Sequence, residues 1–498
     1  MTGMRGLLRG TLAVLLLAAA TTAGGSSAIA AGGPHPAAST TFINWSQFQY
    51  GPHHRSFNAK ARAITAANAG FLKQVYHWKP DPPTQPGQPH SFLFASPTVY
   101  KGKIYIGTYS GYFYKLNEAT GAQVWKISLG WIPNITDPST GYKGCGAGGI
   151  VSTAAVAPMK TGPGNLVYVN GPDGYVHALD SRTGADVWKS PLGIPSSTKN
   201  DFFPWSSPTV IGGHVYVGIA SHCDNPLIHG GVREYDRYTG KILHTYRTGP
   251  VTPSPSVWSS VSGDRTEVFA TTGNAPGDPT VVNKFSVVRL DPNTLKKMAR
   301  FQVPPKEQIK DSDFGHGGTL FSATISGKVV KMIGACDKNG IFYALRRGSL
   351  RLVWKRRIGD PWSIGGMSGQ CGVASAWDGK RLYVVGNGTT INGTSYRGSI
   401  RALNPATGKP IWEHGLPAQV LGGPAVNGSG VVAVNTFDDF DQTPAPPNSN
   451  HTFLFRAGTG AQLKDFTRTA LAFAQPVFAD RYLIVATQSG GMYVYDVH

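Results

Sequence analysis

Three short polar stretches of this 498-residue chain carry side chains suited to catalysis: Asn274 in VFATTGNAPGD (268–278), Asp311 and Asp313 in DSDFGHGGTLF (311–321), and Lys338 in GACDKNGIFYAL (334–345). An asparagine oxygen and carboxylates are the hard donors that suit a hard cation. A carboxylate can accept a proton from a reacting group, and a lysine can stabilise a developing oxyanion. Each also has an everyday reading. Thr-Gly-Asn followed by Ala-Pro-Gly-Asp makes an ordinary turn, aspartates cap turns, and a lysine before Asn339-Gly340 suits a type I′ hairpin. A fourth group, His222, Cys223, Asp224 and His229, has no common zinc spacing and reads as a loop. The glycine-rich GGIVSTAAV (148–156) is followed by no helical pattern, which excludes a phosphate cradle.

The elements that must hold these side chains follow from a repeat. An apolar strand, a turn, then "G-x-[hydrophobic]-[YHF]-[AK]-L-[DN]-x-x-T-G" and "W-K" recur along the chain, most clearly at 103–126, 166–189 and 399–414. Weaker copies lie at 230–247, 285–300, 340–356 and 453–466. The turn positions Thr120, Thr183, Thr239, Thr294, Gly348, Thr407 and Thr459 are spaced 52 to 63 residues apart, the period of one four-stranded blade. Alternating β-branched and aromatic residues make half-buried strands, and a tryptophan after the turn (Trp125, Trp188, Trp354, Trp412) can bury its face between blades. The final segment, 476–498, lacks an outer strand, which FLKQVYHWKP (71–80) can supply. The expected fold is therefore all-β: a single eight-bladed β-propeller of four-stranded antiparallel blades, closed by pairing N- and C-terminal strands. Two tandem sandwiches would need a central linker, and none is visible.

Composition agrees. Glycine (63) and proline (36) are in excess, while 41% hydrophobic and 11% aromatic residues exclude a disordered or collagen-like chain. Residues 1–30 combine Arg5 and Arg9, an apolar run from Leu12 to Ala20, and Ala28-Ile29-Ala30. That is the pattern of a Sec-type secretory signal peptide. Residues 31–40 then read as a disordered linker and 41–498 as the propeller, in a secreted or cell-envelope protein. In an oxidising compartment Cys145, Cys223, Cys336 and Cys371 are expected to form disulfides, Cys145 with Cys223 and Cys336 with Cys371, because each pair falls in successive repeats. Free buried cysteines are the alternative.

The repeats and the three polar stretches resemble the quinoprotein alcohol dehydrogenase-like family, whose eight-bladed propellers hold pyrroloquinoline quinone (PQQ). In appearance the nearest branch is that of polyvinyl alcohol dehydrogenase-type exported proteins. The resemblance implies PQQ and calcium as cofactors. It implies Asp313 as the catalytic base, with Asp311 second, Asn274 and Asp313 on calcium, and Lys338 on the quinone carbonyls. The family's calcium-binding glutamate falls near GIASHCDNPLIHGG (218–231), where Asp224 is the substitute oxygen ligand. The family's adjacent-cysteine disulfide has no counterpart here. No C-x-x-C-H occurs, so no covalent haem c is expected and electrons would pass to an external acceptor.

The implied activity is oxidation of a small-molecule or polymeric alcohol by a monomer. The alternative is a non-catalytic extracytoplasmic binding propeller, since scaffold propellers share the repeat. The formal charge of +19 includes the basic run RRGSLRLVWKRR (346–357), expected to form a solvated rim that can meet anionic wall polymers or membrane surfaces. No nucleic-acid module accompanies it, so no nucleic-acid partner is expected. The acidic and proline-rich stretch 432–452 reads as a loop or a lid over the mouth.

Overall fold

The computed structural model describes residues 41–134, 146–193, 201–222, 227–275, 283–361, 371–437, 450–467 and 470–497. The signal and linker segments, Cys145, Cys223, Asp224 and most of the acidic stretch lie outside the described residues. From Phe42 onward the chain forms one compact unit of eight antiparallel sheets. Blade one runs from Thr98–Val99 at the centre to Gln123–Ser128 at the rim. Blade two runs from Ala155–Pro158 to Asp186–Pro191, and blade three from Thr209–Ile211 to Ile242–Arg247. Blades four, five and six start at Ser262–Asp264, Thr319–Ile325 and Ala376–Trp377 and end at Lys297–Gln302, Leu352–Arg357 and Pro410–Leu416. Blade seven runs from Ala425–Asn427 to Gln462–Thr467 and gains a fifth strand, because Phe57–Asn58 pairs parallel with Ala425–Asn427.

Blade eight closes the ring as the sequence suggests. Its inner strands are C-terminal, Val477–Ala479, Tyr482–Thr487 and Gly491–Asp496, and its outer strand is N-terminal, Lys73–Trp78. Closure completes the four-stranded sheet of blade eight and ties both ends of the folded unit to each other.

Blades are locked by the repeat's tryptophan and glycine acting together. Trp188 Nε1 donates to Arg237 O in the next blade's turn at 3.1 Å, Trp354 Nε1 to Pro405 O at 2.8 Å, and Trp412 Nε1 to Ala457 O at 2.9 Å. The turn glycine sits beneath that ring. At Gly408, φ is +68° and a Cβ would come within 2.5 Å of the Trp354 ring, so both backbone conformation and contact demand glycine.

The inner edges are managed by an N-terminal belt that sequence reading left unassigned. Residues 43–58 meet all eight blades. The backbone N–H groups of Val99, Val156, Gly263, Leu320, Trp377, Val426 and Asp480 donate to the carbonyls of Trp45, Ser46, Pro52, His53, Arg55, Ser56 and Ile43, at 2.8–2.9 Å. In blade three Val210 N–H donates instead to Gln47 Oε1 at 2.8 Å. Each innermost strand would otherwise present unpaired N–H groups to the channel.

Candidate functional site

The repeat also builds the wall of the central cavity, of about 410 Å³. One position recurs in all eight blades where the chain enters the innermost strand: Phe94, Val151, Trp205, Trp258, Gly315, Gly372, Leu421 and Phe473, all lining it. Two residues further on come small or polar side chains. Five of these are linked around the ring: Gln475 N–H donates to Ser96 Oγ, Ser96 N–H to Thr153 Oγ1, Thr153 N–H to Ser207 Oγ and Ser207 N–H to Ser260 Oγ, all at 2.9–3.0 Å. Phe48 of the belt also lines the cavity.

The polar residues singled out in the sequence converge on one wall, at blades four and five. Asn274 follows the strand Glu267–Thr271, Asp311 and Asp313 lie on the connection between the blades, and Lys338 sits in the turn after Lys328–Cys336. Lys338 Nζ is 2.8 Å from Asp311 Oδ2 and 3.4 Å from Asp313 Oδ2, and Asn274 Nδ2 donates to Asp311 Oδ1 at 2.5 Å. Burial alone would lower the Lys338 pKa. Asp313 and Asp311 outweigh it and hold the ammonium above its ordinary value. Gly273 of Thr-Gly-Asn permits this convergence, since a Cβ there would lie 3.1 Å from Asp313 Oδ1 and 3.2 Å from Trp258 Nε1.

Sequence reading did not single out Trp258, whose ring centroid lies 5.5 Å from Lys338 Nζ. Its signal was present, because it occupies the repeated position two residues ahead of Ser260. In blade five Gly315 occupies the equivalent position, and its neighbour His316 also lines the cavity, with burial lowering its pKa to about 4. Burial likewise takes His54, on the belt, to about 3. Both imidazoles are thus neutral near pH 7.

Behind the acidic loop lies a second missed element. Ser312 Oγ donates to Asp337 Oδ1 at 2.6 Å, Asn339 N–H donates to the same oxygen at 2.8 Å, and Lys338 N–H donates to Asp313 O at 2.9 Å. Burial pushes the Asp337 carboxyl well above its usual range. The expected Cys336–Cys371 disulfide is present, with a Cα–Cα distance of 5.4 Å, and ties the end of the strand that leads into the Lys338 turn to the start of blade six. Among the described residues no three His, Cys, Asp or Glu side chains are grouped to hold a metal. The oxygen donors on this wall are two carboxylates and one amide. The basic run near the rim is partly spoken for, since Arg347 is buried and paired with Asp264 at 2.5 Å and Glu267 at 2.7 Å in blade four.

The chain's relatives agree with this architecture. Residues 45–355 match the β-propeller domain of glucose, ethanol and alcohol dehydrogenases, and residues 338–498 match the outer membrane protein assembly factor BamB. Quinohemoprotein alcohol dehydrogenase ADH IIB of Pseudomonas putida is 25% identical over 307 residues, 54% of this chain and 41% of that protein. Quinoprotein ethanol dehydrogenase of Pseudomonas putida is 23% identical over 451 residues, 73% of this chain and 66% of its own length. The chain thus spans under half the length of the first of these relatives and just under two thirds of the second. The solved quinohemoprotein alcohol dehydrogenase of Comamonas testosteroni has the same fold, with a TM-score of 0.70 at 19% identity over 91% of this chain and 80% of that one. With its repeat, its eight closed blades and a family match over residues 45–355, the chain belongs to the PQQ-type β-propeller family of glucose, ethanol and alcohol dehydrogenases.

Proposed function

We propose that the chain is an exported PQQ- and calcium-dependent dehydrogenase that oxidises an alcohol to a carbonyl and passes electrons to an external acceptor. The observation that carries this reading is the convergence of Asn274, Asp311, Asp313 and Lys338 on one wall of the central cavity, beside the Trp258 ring. The donor chemistry fits the cofactors. A flat aromatic face suits a fused-ring quinone and the hydroxyls of Ser207, Ser256 and Ser260 suit its carboxylates. Lys338 suits its carbonyls, and the amide and carboxylate oxygens suit calcium, with Asp224 as a further ligand. Bound there, PQQ supplies a two-electron oxidant and calcium a Lewis acid.

The chain's own residues divide the remaining work. Asp311, held between Asn274 and Lys338, fixes the positions of both. Asp313 stands farther from Lys338 and accepts the alcohol proton. The Lys338 ammonium, kept protonated by both aspartates, stabilises negative charge developing on an oxygen at this wall.

Titration of the purified protein with PQQ and calcium, followed by absorbance, tests the reading, with dye reduction by primary, secondary and polymeric alcohols as the second step. Saturable quinone binding is expected. Its absence would sink the dehydrogenase and leave a non-catalytic binding propeller, the alternative favoured by the match of residues 338–498 to an assembly factor.

A further inference from the structure

The eight repeat-equivalent wall positions divide the cavity into two unlike halves. Blades four and five carry Trp258, His316 and the Asp311, Asp313 and Lys338 cluster. The facing arc, on blades seven, eight, one and two, presents Leu421, Phe473, Phe94 and Val151. The two phenyl rings meet edge to face at 5.6 Å. Each is braced from behind, Phe94 by Tyr109 at 4.9 Å and Phe473 by Phe437 at 6.2 Å. This is a fixed apolar surface, all but one of its residues only half buried, directly across the channel from the charged cluster.

We infer that the substrate is an alcohol with an apolar body, an alkyl chain or an aromatic ring, which lies against Leu421, Phe473 and Phe94 while its hydroxyl faces Asp313. The inference rests on the dehydrogenase reading. A polyol or sugar in the same pose would give up water at several hydroxyls against Leu421, Phe473 and Phe94, whose side chains return no hydrogen bond, whereas a hydrocarbon body gains by leaving water. Apolar walls discriminate on the order of 10- to 200-fold per group of methylene size, so the preference should be large enough to measure.

The test compares benzyl alcohol, 1-hexanol and glycerol as substrates of the quinone-loaded protein. Wild type, Phe473→Ala and Leu421→Thr are assayed together, with quinone affinity measured by absorbance titration for each. Saturation-transfer NMR of benzyl alcohol on the purified protein supplies a readout independent of turnover. The expected result is kcat/KM at least about 10-fold higher for benzyl alcohol and hexanol than for glycerol. Both variants should lose most of that ratio while quinone affinity stays within about threefold of wild type, and benzyl alcohol signals should weaken in both. A wild type that favours glycerol overturns the inference. So does a variant that loses quinone affinity and all three activities in parallel, because the arc would then hold the quinone. Absence of quinone binding to the wild type overturns the dehydrogenase reading and, with it, this one.

Discussion

Lys338 Nζ lies 2.8 Å from Asp311 Oδ2 and 3.4 Å from Asp313 Oδ2, so one ammonium holds together two carboxylates from a different stretch of chain. Replacing it with Gln leaves two carboxylates, Asp313 buried and Asp311 half-buried, facing each other. Lys338→Gln is expected to cost about 3 to 5 kcal/mol of stability and to lower turnover by about 10²- to 10³-fold. Urea denaturation and dye-reduction kinetics measure the two effects separately.

The two aspartates should respond differently to the same substitution. Asp313→Asn removes the proton acceptor and is expected to lower kcat by roughly 10²- to 10⁴-fold with quinone affinity nearly unchanged. Asp311→Asn frees Lys338 and Asn274 together, so it should weaken quinone binding as well as turnover. Equal effects of both variants on quinone affinity would show that the division of labour is wrong.

Ser312 is fully buried between the two aspartates and donates to Asp337 across the loop. Ser312→Ala is expected to destabilise the protein by about 1 to 3 kcal/mol, because the buried Asp337 carboxyl loses a donor. Its pKa, already raised by burial, should rise further. Chemical denaturation of the variant against wild type at neutral pH gives the stability difference, and the pH profile of kcat shows whether the shift reaches the acidic loop.

Where blade one meets blade eight, burial and Asp480 raise the pKa of Glu118 from 4.5 to about 9. The folded state therefore holds a proton that the unfolded state releases above pH 4.5, and stability is lost as pH rises from there through about 9. Glu118→Gln carries no such proton. The variant should gain on wild type progressively across that window and show no gain below it, as read from midpoints of urea unfolding at several pH values.

Gly408→Ala tests the interlock between blades. A Cβ at φ +68° would meet the Trp354 ring at 2.5 Å, so the variant should lose about 2 to 4 kcal/mol. The control is Gly379→Ala. Its φ of +93° is also unfavourable to a side chain but nothing lies within 4 Å, so it should lose only the conformational part. Comparison of the two melting temperatures isolates the contact.

Much of this protein was legible in one dimension because its fold is a local pattern repeated. Strand alternation, the Thr-Gly turn and the following tryptophan each act within one blade or between neighbours, so their period gave the blade number, and the incomplete final copy gave the closing strand Lys73–Trp78. The polar triplet was visible by resemblance, and convergence followed from its position at strand ends of successive blades. The rest depends on contacts distant in sequence. The belt of residues 43–58 has no regular strand pattern, because it bonds to a different blade every few residues. Ser312 and Asp337 look like ordinary turn residues until the loop folds back across 25 positions. The apolar arc exists only once Leu421, Phe473, Phe94 and Val151 are brought side by side by closure of the ring. Short-range stereochemistry thus determined the blades, whereas only the closed ring decided which side chains face one another across the channel.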